Sequence, residues 1–209
     1  MKEIEVKITL LEDMLGTSAA NPDIHRDFIA SKAPDEDRMM EEVEAIEDAE
    51  DKFEKAMTVF SRDENGNPIV WDYQWKGYFK DAYGALKKIP GTEASKIKAY
   101  KKDIDGLVFV EPRKIPIKLS GEMGVCQRPL RASTPMGERV ALASSESIPA
   151  GSEMIFTVRL LRDSDEKGII EALKYGRMRG FGQWRNSGKG RFKVEILSIK
   201  EGSVLDIIA

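Results

Sequence analysis

The chain has 209 residues, of which 41% are hydrophobic and 33% charged, and its formal net charge is −3. That length and apolar content are sufficient for a hydrophobic core and exclude a disordered chain. No run approaches the roughly 18 apolar residues of a membrane span, and acidic residues interrupt the apolar start, so we expect neither a membrane span nor a signal peptide. We therefore expect a cytoplasmic protein with one elaborated domain over residues 1–209 and no membrane partner.

Side chains that bind zinc or act as nucleophiles are scarce. The chain has one cysteine, Cys126, and one histidine, His25, far apart in sequence. A lone cysteine forms no internal disulfide, and this pair is too small for a His/Cys zinc site. We expect no metal and no cofactor, and Cys126 is predicted to be a small strand or core residue.

Charge is distributed unevenly along the chain. Residues 1–64 hold 8 Lys or Arg against 19 Asp or Glu, whereas residues 65–209 hold 25 against 17. A basic C-terminal part indicates a polyanionic partner, and the acidic N-terminal part either limits nonspecific binding or contacts a basic partner.

The N-terminal third is predicted to contain a strand, a loop and an acidic helix. Residues Lys2–Glu12 alternate between apolar and polar side chains, as in a half-buried strand. The segment Gly16–Ala33 reads as a loop. In Asp37–Met57 apolar residues recur every three or four positions among many acids, which predicts an amphipathic helix. Its carboxylates are metal-ligand candidates, but a solvated helix face explains them as well. We interpret residues 17–64 as an acidic helical insertion, with 37–57 a docking helix for a protein partner.

The middle of the chain is predicted to hold a helix between strand-rich segments. A turn cluster between Phe60 and Val70 indicates a hairpin. Apolar spacing from Trp75 to Leu86 predicts a helix that ends before Pro90. The segment Gly106–Leu119 contains two strand-like runs, which could pair as a hairpin although the prolines favour sheet edges. Strands are also predicted over Met123–Ala132 and Glu138–Ser145. We interpret residues 107–150 as a β-hairpin insertion.

The C-terminal part completes a recognisable order of elements. A strand is predicted over Met154–Leu160, a helix capped by Ser164 over Asp163–Tyr175, and a last strand over Phe192–Ile199. Without the insertions the order is βαββαβ. It predicts an α+β fold with a ferredoxin-like (RRM-like) antiparallel sheet and helices on one face.

Residues 174–193 form the most basic segment of the chain, with seven Lys or Arg, five Gly, four aromatic residues and no acid. Cations with flexible backbone suit phosphate binding, and an exposed aromatic ring can stack on a base. Alternatively, the glycines only let the chain turn, and we expect Phe181 or Trp184 to be buried. The predicted phosphate-binding and base-binding residues here are Arg177, Arg179, Trp184, Arg185, Lys189 and Arg191. Arg128 and Arg131, in QRPLRA, are the next candidates.

Five sequence pieces in order resemble the RAMP superfamily, the RNA-binding subunits of CRISPR effector complexes. The first strand followed by LGTS resembles their opening strand and loop, and ANPDIHRD resembles their thumb-side loop. YQWKGYFKDA resembles the start of a family helix that carries Lys-Gly, which matches Lys76. IPAGSEMIFTVRL and GRMRGFGQWRNSGKGRF resemble the later strand and the glycine-rich loop.

The chain departs from the family pattern at two functional positions. Subunits that cut RNA carry an aspartate where this chain has Ala20, and the family's helix arginine is replaced by Asp81 or its neighbour Lys80. The resemblance therefore implies RNA binding without cleavage.

Three functional hypotheses follow. The main one is binding of single-stranded RNA, or a related nucleotide ligand, through the basic glycine-rich segment without cleavage. The second is an interaction protein, encoded by a phage, that mimics or inhibits a host CRISPR or other defence component. The third is a metal-independent ribonuclease with His25 as the base, because the pKa of histidine is close to neutral.

Overall fold

A computed structural model describes residues 1–20, 57–134 and 137–203, with only the backbone for 130–134 and 137–141. The strands are β1 (Lys2–Leu10), β2 (Met14–Leu15), β3 (Ser18–Ala19), β4 (Met57–Val59), β5 (Ser61–Arg62), β6 (Pro68–Trp71), β7 (Val108–Glu111), β8 (Lys114–Lys118), β9 (Gly124–Thr134), β10 (Gly137–Ile148), β11 (Glu153–Leu160) and β12 (Phe192–Glu201). The α-helices of these described ranges are α1 (Asp72–Leu86), α2 (Tyr100–Leu107) and α3 (Glu166–Arg179).

The central sheet has the strand order of a ferredoxin-like fold. Strand β1 lies between β12 and β11, and β11 pairs on its other side with β7 and then with β8. All of these pairs are antiparallel. Helices α1 and α3 pack against each other, with α1 also contacting β7 and α3 contacting β12. The predicted α+β class and its βαββαβ core are confirmed.

The core lies between the helices and this sheet. In β1 the alternating residues Ile4, Val6 and Ile8 are fully buried. They meet aromatic side chains from α1, among them Trp75 and Phe79. Because successive side chains of a strand point to opposite faces, the period-two pattern places every apolar residue of β1 on the helix side.

A smaller second sheet carries the long hairpin. Strand β10 pairs with β9 along its whole length, with β2 antiparallel and with β4 parallel. The predicted strands of this region and the hairpin of β5 and β6 are confirmed. Cys126 lies half-buried in β9, as expected.

A buried carboxylate connects the two sheets. Glu146 of β10 accepts the backbone N–H of Phe60 at 2.9 Å and pairs with the Arg62 guanidinium of β5. Burial raises the pKa of Glu146 above its usual range, although both of these partners oppose the shift.

Several local predictions were wrong. Strands β7 and β8 do not pair with each other but lie one after the other along β11. Helix α2, which buries Ile104, was not predicted. Met57 begins strand β4 instead of ending a helix; the remainder of the predicted helix 37–57 lies outside the described residues.

The helix before the basic segment is shifted toward the C-terminus. A 3₁₀ turn occupies Asp163–Asp165, and α3 runs from Glu166 to Arg179 without a side-chain N-cap from Ser164. The first three cations of the basic segment are therefore helical, on the last turns of α3. No helix in the described part of the chain is long and apolar enough to cross a membrane.

Candidate nucleic-acid interface

Residues 180–191, here called the basic loop, form a closed structure between α3 and β12. Gly180 ends the helix with φ of 76°. The Phe181 N–H donates to the Gly190 carbonyl at 2.9 Å, and the Gly190 N–H donates to the Asp13 carbonyl at 2.7 Å. These bonds join the two ends of the loop to each other and to the chain after β1, so the loop has a defined shape.

Gly190 is required by this close packing. Its φ is 70°, and a Cβ atom there would lie 1.8 Å from the Phe181 carbonyl oxygen. Any larger residue would open the loop. The glycine content of the segment is thus explained in part by folding, as the alternative interpretation proposed.

The two aromatic side chains of the loop have different environments. Phe181 is buried and stacks on Trp75 with ring centroids 4.6 Å apart and an interplanar angle of 29°. The expectation that one aromatic residue would be buried is confirmed. Trp184 is 43% exposed.

Trp184 has an unusual backbone. Its φ of 53° and ψ of 35° lie in the left-handed region, and among the described non-glycine residues it alone has a positive φ. This conformation costs a bulky residue about 1–2 kcal/mol. The fold therefore holds an exposed indole in a strained position, and strained residues often occur at ligand-binding sites.

Arg128 of β9 lies against this indole. Its Cζ atom is 5.2 Å from the Trp184 ring centroid, and its Nη2 donates to Gln183 Oε1 at 2.9 Å. The residue is only 9% exposed, and its Nη1 atom is buried without a hydrogen-bond partner in the described structure. An unsatisfied buried donor costs about 1–3 kcal/mol, and more when charged. Arg128 is thus a cation with one unsatisfied donor nitrogen beside an exposed aromatic ring.

Two cations of the segment share one carboxylate from α1. Arg179 Nε lies 2.9 Å and Arg185 Nη1 lies 2.8 Å from Asp81 Oδ2. Burial alone would raise the pKa of Asp81, but the two guanidinium groups outweigh it and the pKa is lower than usual. Two positive charges against one negative charge leave this cluster positive.

A second carboxylate contacts the loop from the chain after β1. Lys189 Nζ lies 3.0 Å from Asp13 Oδ2, and this bond is the main reason that the pKa of Asp13 is lowered. Arg177 and Arg191 are exposed, and neither has a carboxylate partner within the described ranges. Three of the predicted phosphate-binding side chains are therefore paired by acids that the sequence window 174–193 does not contain.

The other predicted binding residues do not contact the basic loop in the described structure, or lie outside the described residues. Lys76 donates to the Asp105 carbonyl at 3.1 Å and lies 4.6 Å from the Phe109 ring centroid, so its contacts are with α2 and β7. Burial lowers its pKa, although Asp105 and Asp72 oppose the change. The backbone of Arg131 lies in β9 opposite Val140. His25 lies outside the described residues.

The open face of the central sheet does not supply a basic surface. On it, Lys7 pairs with Glu153 and Glu195, and Arg159 pairs with Glu3 and Glu111. The exposed lysines Lys118, Lys193 and Lys200 lie on the same face, opposite Glu153, Thr9 and Glu3. Charges of both signs are therefore mixed on this face, and the cations Lys7 and Arg159 are already paired with carboxylates.

Ala20 occupies a small apolar cluster. It is 3% exposed and packs with Met57 and Val59, and its N–H donates to the Met57 carbonyl at 2.9 Å. The position at which the resemblance expects a cleaving carboxylate therefore carries a buried methyl group.

No family model and no curated protein matches the chain. Among solved structures, it is similar to a chain of the Type III-B Cmr-beta complex bound to cognate target RNA, with a TM-score of 0.53 and 13% identity. That match covers 95% of this chain and 60% of the other, so the chain spans less than two thirds of that subunit. A chain of a Type IV-B CRISPR complex gives a TM-score of 0.48 at 11% identity, covering 98% of this chain and 94% of that one. The first match shows that the fold is shared with that chain, in agreement with the α+β fold predicted from the sequence.

Proposed function

We propose that this protein binds single-stranded RNA without cutting it, as a subunit of a CRISPR-type ribonucleoprotein. The binding surface comprises the basic loop, the last turn of α3 and Arg128. The observation that carries the proposal is the buried, unsatisfied Arg128 Nη1 beside the strained and exposed Trp184. A planar ring can stack on the exposed indole, and a shift of the Arg128 side chain would bring Nη1 to an oxygen acceptor. RNA has both a ring and oxygen acceptors in each nucleotide.

The charges around this pair favour a phosphate backbone. Arg177 and Arg191 are exposed cations, and the cluster around Asp81 keeps one net positive charge. Arginine and lysine contacts to phosphate provide affinity without reading sequence, while an aromatic ring stacks on any base. The site therefore suits a single strand of mixed sequence. The fold match to a chain of a complex bound to target RNA is consistent with this class of ligand.

Salt dependence tests the phosphate contacts. Replacing Arg179, Arg185 and Arg191 with alanine should flatten the log–log plot of oligouridine affinity against salt, by about 0.7 for each lost contact. The control changes three exposed lysines away from the loop, Lys118, Lys167 and Lys200, and removes the same charge. An equal change of slope in both variants, or none in the arginine variant, would place the RNA elsewhere.

The absence of a carboxylate at Ala20 leads to an expectation about chemistry. Metal-assisted cleavage needs a carboxylate near the scissile phosphate to hold the metal or position the attacking hydroxyl. We expect a bound RNA to remain intact for hours with Mg²⁺ or Mn²⁺, as followed on a denaturing gel. Products that vanish in Asp23→Asn, Asp27→Asn or His25→Ala would instead establish an enzyme.

A further inference from the structure

Besides the surface at the basic loop, a second positively charged surface lies between the three helices. It is an open groove of about 670 Å³, here called the helix-side groove, and its lining is shared by α1, α2 and α3. The groove includes Asp81 and Arg179, which also belong to the cluster beside the basic loop. The two surfaces are therefore continuous at Arg179.

The groove is basic beyond Arg179. Lys80, Lys88 and Lys101 line it. Lys80 pairs with Asp105, while Lys88 and Lys101 are exposed and have no carboxylate partner among the described residues. The surrounding segment 87–102 holds six lysines against the single acid Glu93. Lys96 pairs with Glu93. The remaining excess of lysine concentrates a polyanion without the geometric selectivity of arginine.

The shape of the groove suits an extended chain. Its α1 wall presents Gly84 and Ala85 between the lysines, and the Tyr100 hydroxyl lies close over Gly84, where a Cβ atom would be 3.0 Å from it. Tyr100 and Tyr175 line it and are partly exposed. The Tyr100 ring is already held in place by Tyr83, with ring centroids 6.0 Å apart and an interplanar angle of 20°. Aromatic rings beside cations are the elements from which single-strand grooves are built, because bases stack on the rings while the cations contact the phosphates.

We propose that the helix-side groove is a second RNA subsite, in which a single strand continues from Trp184 across Arg179 and places its phosphates against Lys88 and Lys101. This inference rests on the proposed function, because the strand enters from the basic loop. Continuity at Arg179 favours the same strand over an unrelated acidic partner. A phosphate at this point also competes with Asp81 for the two arginines, so the strand replaces an internal ion pair with an external one.

Length dependence tests the subsite. The probes are oligouridines of about 4 and about 16 nucleotides, which bracket the length that one single-strand-binding domain occupies. In Lys88→Ala/Lys101→Ala the salt slope for the longer probe should fall by about 1.4, from two contacts, with no change for the shorter probe. The charge-matched control is Lys118→Ala/Lys200→Ala, which should leave both slopes unchanged. Ala85→Glu places a negative charge in the groove without disfavouring the helix. It should weaken the binding of the longer probe only.

The outcomes separate the subsite from the proposed function. If Trp184→Ala weakens both probes but the groove variants change neither, the subsite is overturned and the RNA-binding loop stands. If Trp184→Ala has no effect, the proposed function fails, and with it the continuation of the strand into the groove. A synthetic peptide of residues 37–57, which holds 9 acids against 3 basic residues, provides the other test. Binding of that peptide that requires Lys88 and Lys101, with long-RNA affinity unaffected by their loss, would assign the groove to an acidic protein.

Discussion

Gly190→Ala is expected to destabilise the protein by about 2–5 kcal/mol. The left-handed backbone costs a non-glycine residue about 1–2 kcal/mol, and forcing a methyl group into packed atoms costs about 1–3 kcal/mol. At this position the added carbon would lie 1.8 Å from the Phe181 carbonyl oxygen, so the backbone has to move. Urea unfolding followed by tryptophan fluorescence measures the loss.

Gly91 supplies a matched control. Its φ of 89° is also left-handed, but an added Cβ would have no neighbour within 4 Å. Gly91→Ala should therefore show the backbone cost alone, about 1–2 kcal/mol. Opening the basic loop displaces Phe181 and Trp184 together. Gly190→Ala should therefore also weaken RNA binding, whereas Gly91→Ala should not. Equal stabilities for the two variants would mean that the loop is not closed as described.

Loss of the Trp184 ring is expected to reduce RNA affinity by about 1–3 kcal/mol, or roughly 5- to 150-fold, because one stacked base contributes that amount. The expectation holds for Trp184→Ala and for Trp184→Gly. Since the ring is 43% exposed, little core packing is lost in either variant. Equilibrium binding of a fluorescent oligouridine measures the affinity, and urea unfolding measures the stability.

The glycine variant distinguishes a binding role from a structural one. Glycine adopts the left-handed backbone of this position without strain, so Trp184→Gly recovers about 1–2 kcal/mol that offsets the lost contact with Arg128. We expect stability within about 1 kcal/mol of the wild type, together with weak RNA binding. Trp184→Phe, which keeps an aromatic face, should retain most of the affinity. A glycine variant that unfolds easily and binds RNA normally would assign Trp184 to folding.

The pairing of Arg179 and Arg185 with Asp81 reduces the number of unpaired cations that the basic segment can offer to a ligand. In the sequence, residues 174–193 include seven cationic side chains and no acidic one. In the fold, three of these cations contact Asp81 or Asp13, from elements about a hundred or more positions away in sequence. RNA bound at the proposed surface would have to displace or share these carboxylates, so the arginines are pre-positioned at some cost to affinity.

Local patterns were enough to predict most of the elements. The alternation of β1, the spacing of apolar residues in α1 and the turn between β5 and β6 depend on neighbours within a few positions, and each was placed within a few residues. The order of those elements was in turn enough for the ferredoxin-like class, because few sheet orders accommodate βαββαβ. The basic segment and the aromatic pair Phe181 and Trp184 were also visible in the sequence.

Tertiary contacts decided what local patterns did not contain. Helix α2 is lysine-rich and short, so it depends on packing of Ile104 for its stability, and no window of sequence showed that burial. The pairing of β7 and β8 with β11 brings together residues about forty positions apart. The binding surface is defined the same way: Arg128 comes from β9, Asp81 from α1 and Trp184 from the basic loop. Spatial proximity of residues distant in sequence arises only when the core closes, and this is why the sequence indicated the basic segment but not the contacts of its side chains with Arg128, Asp81 and Asp13.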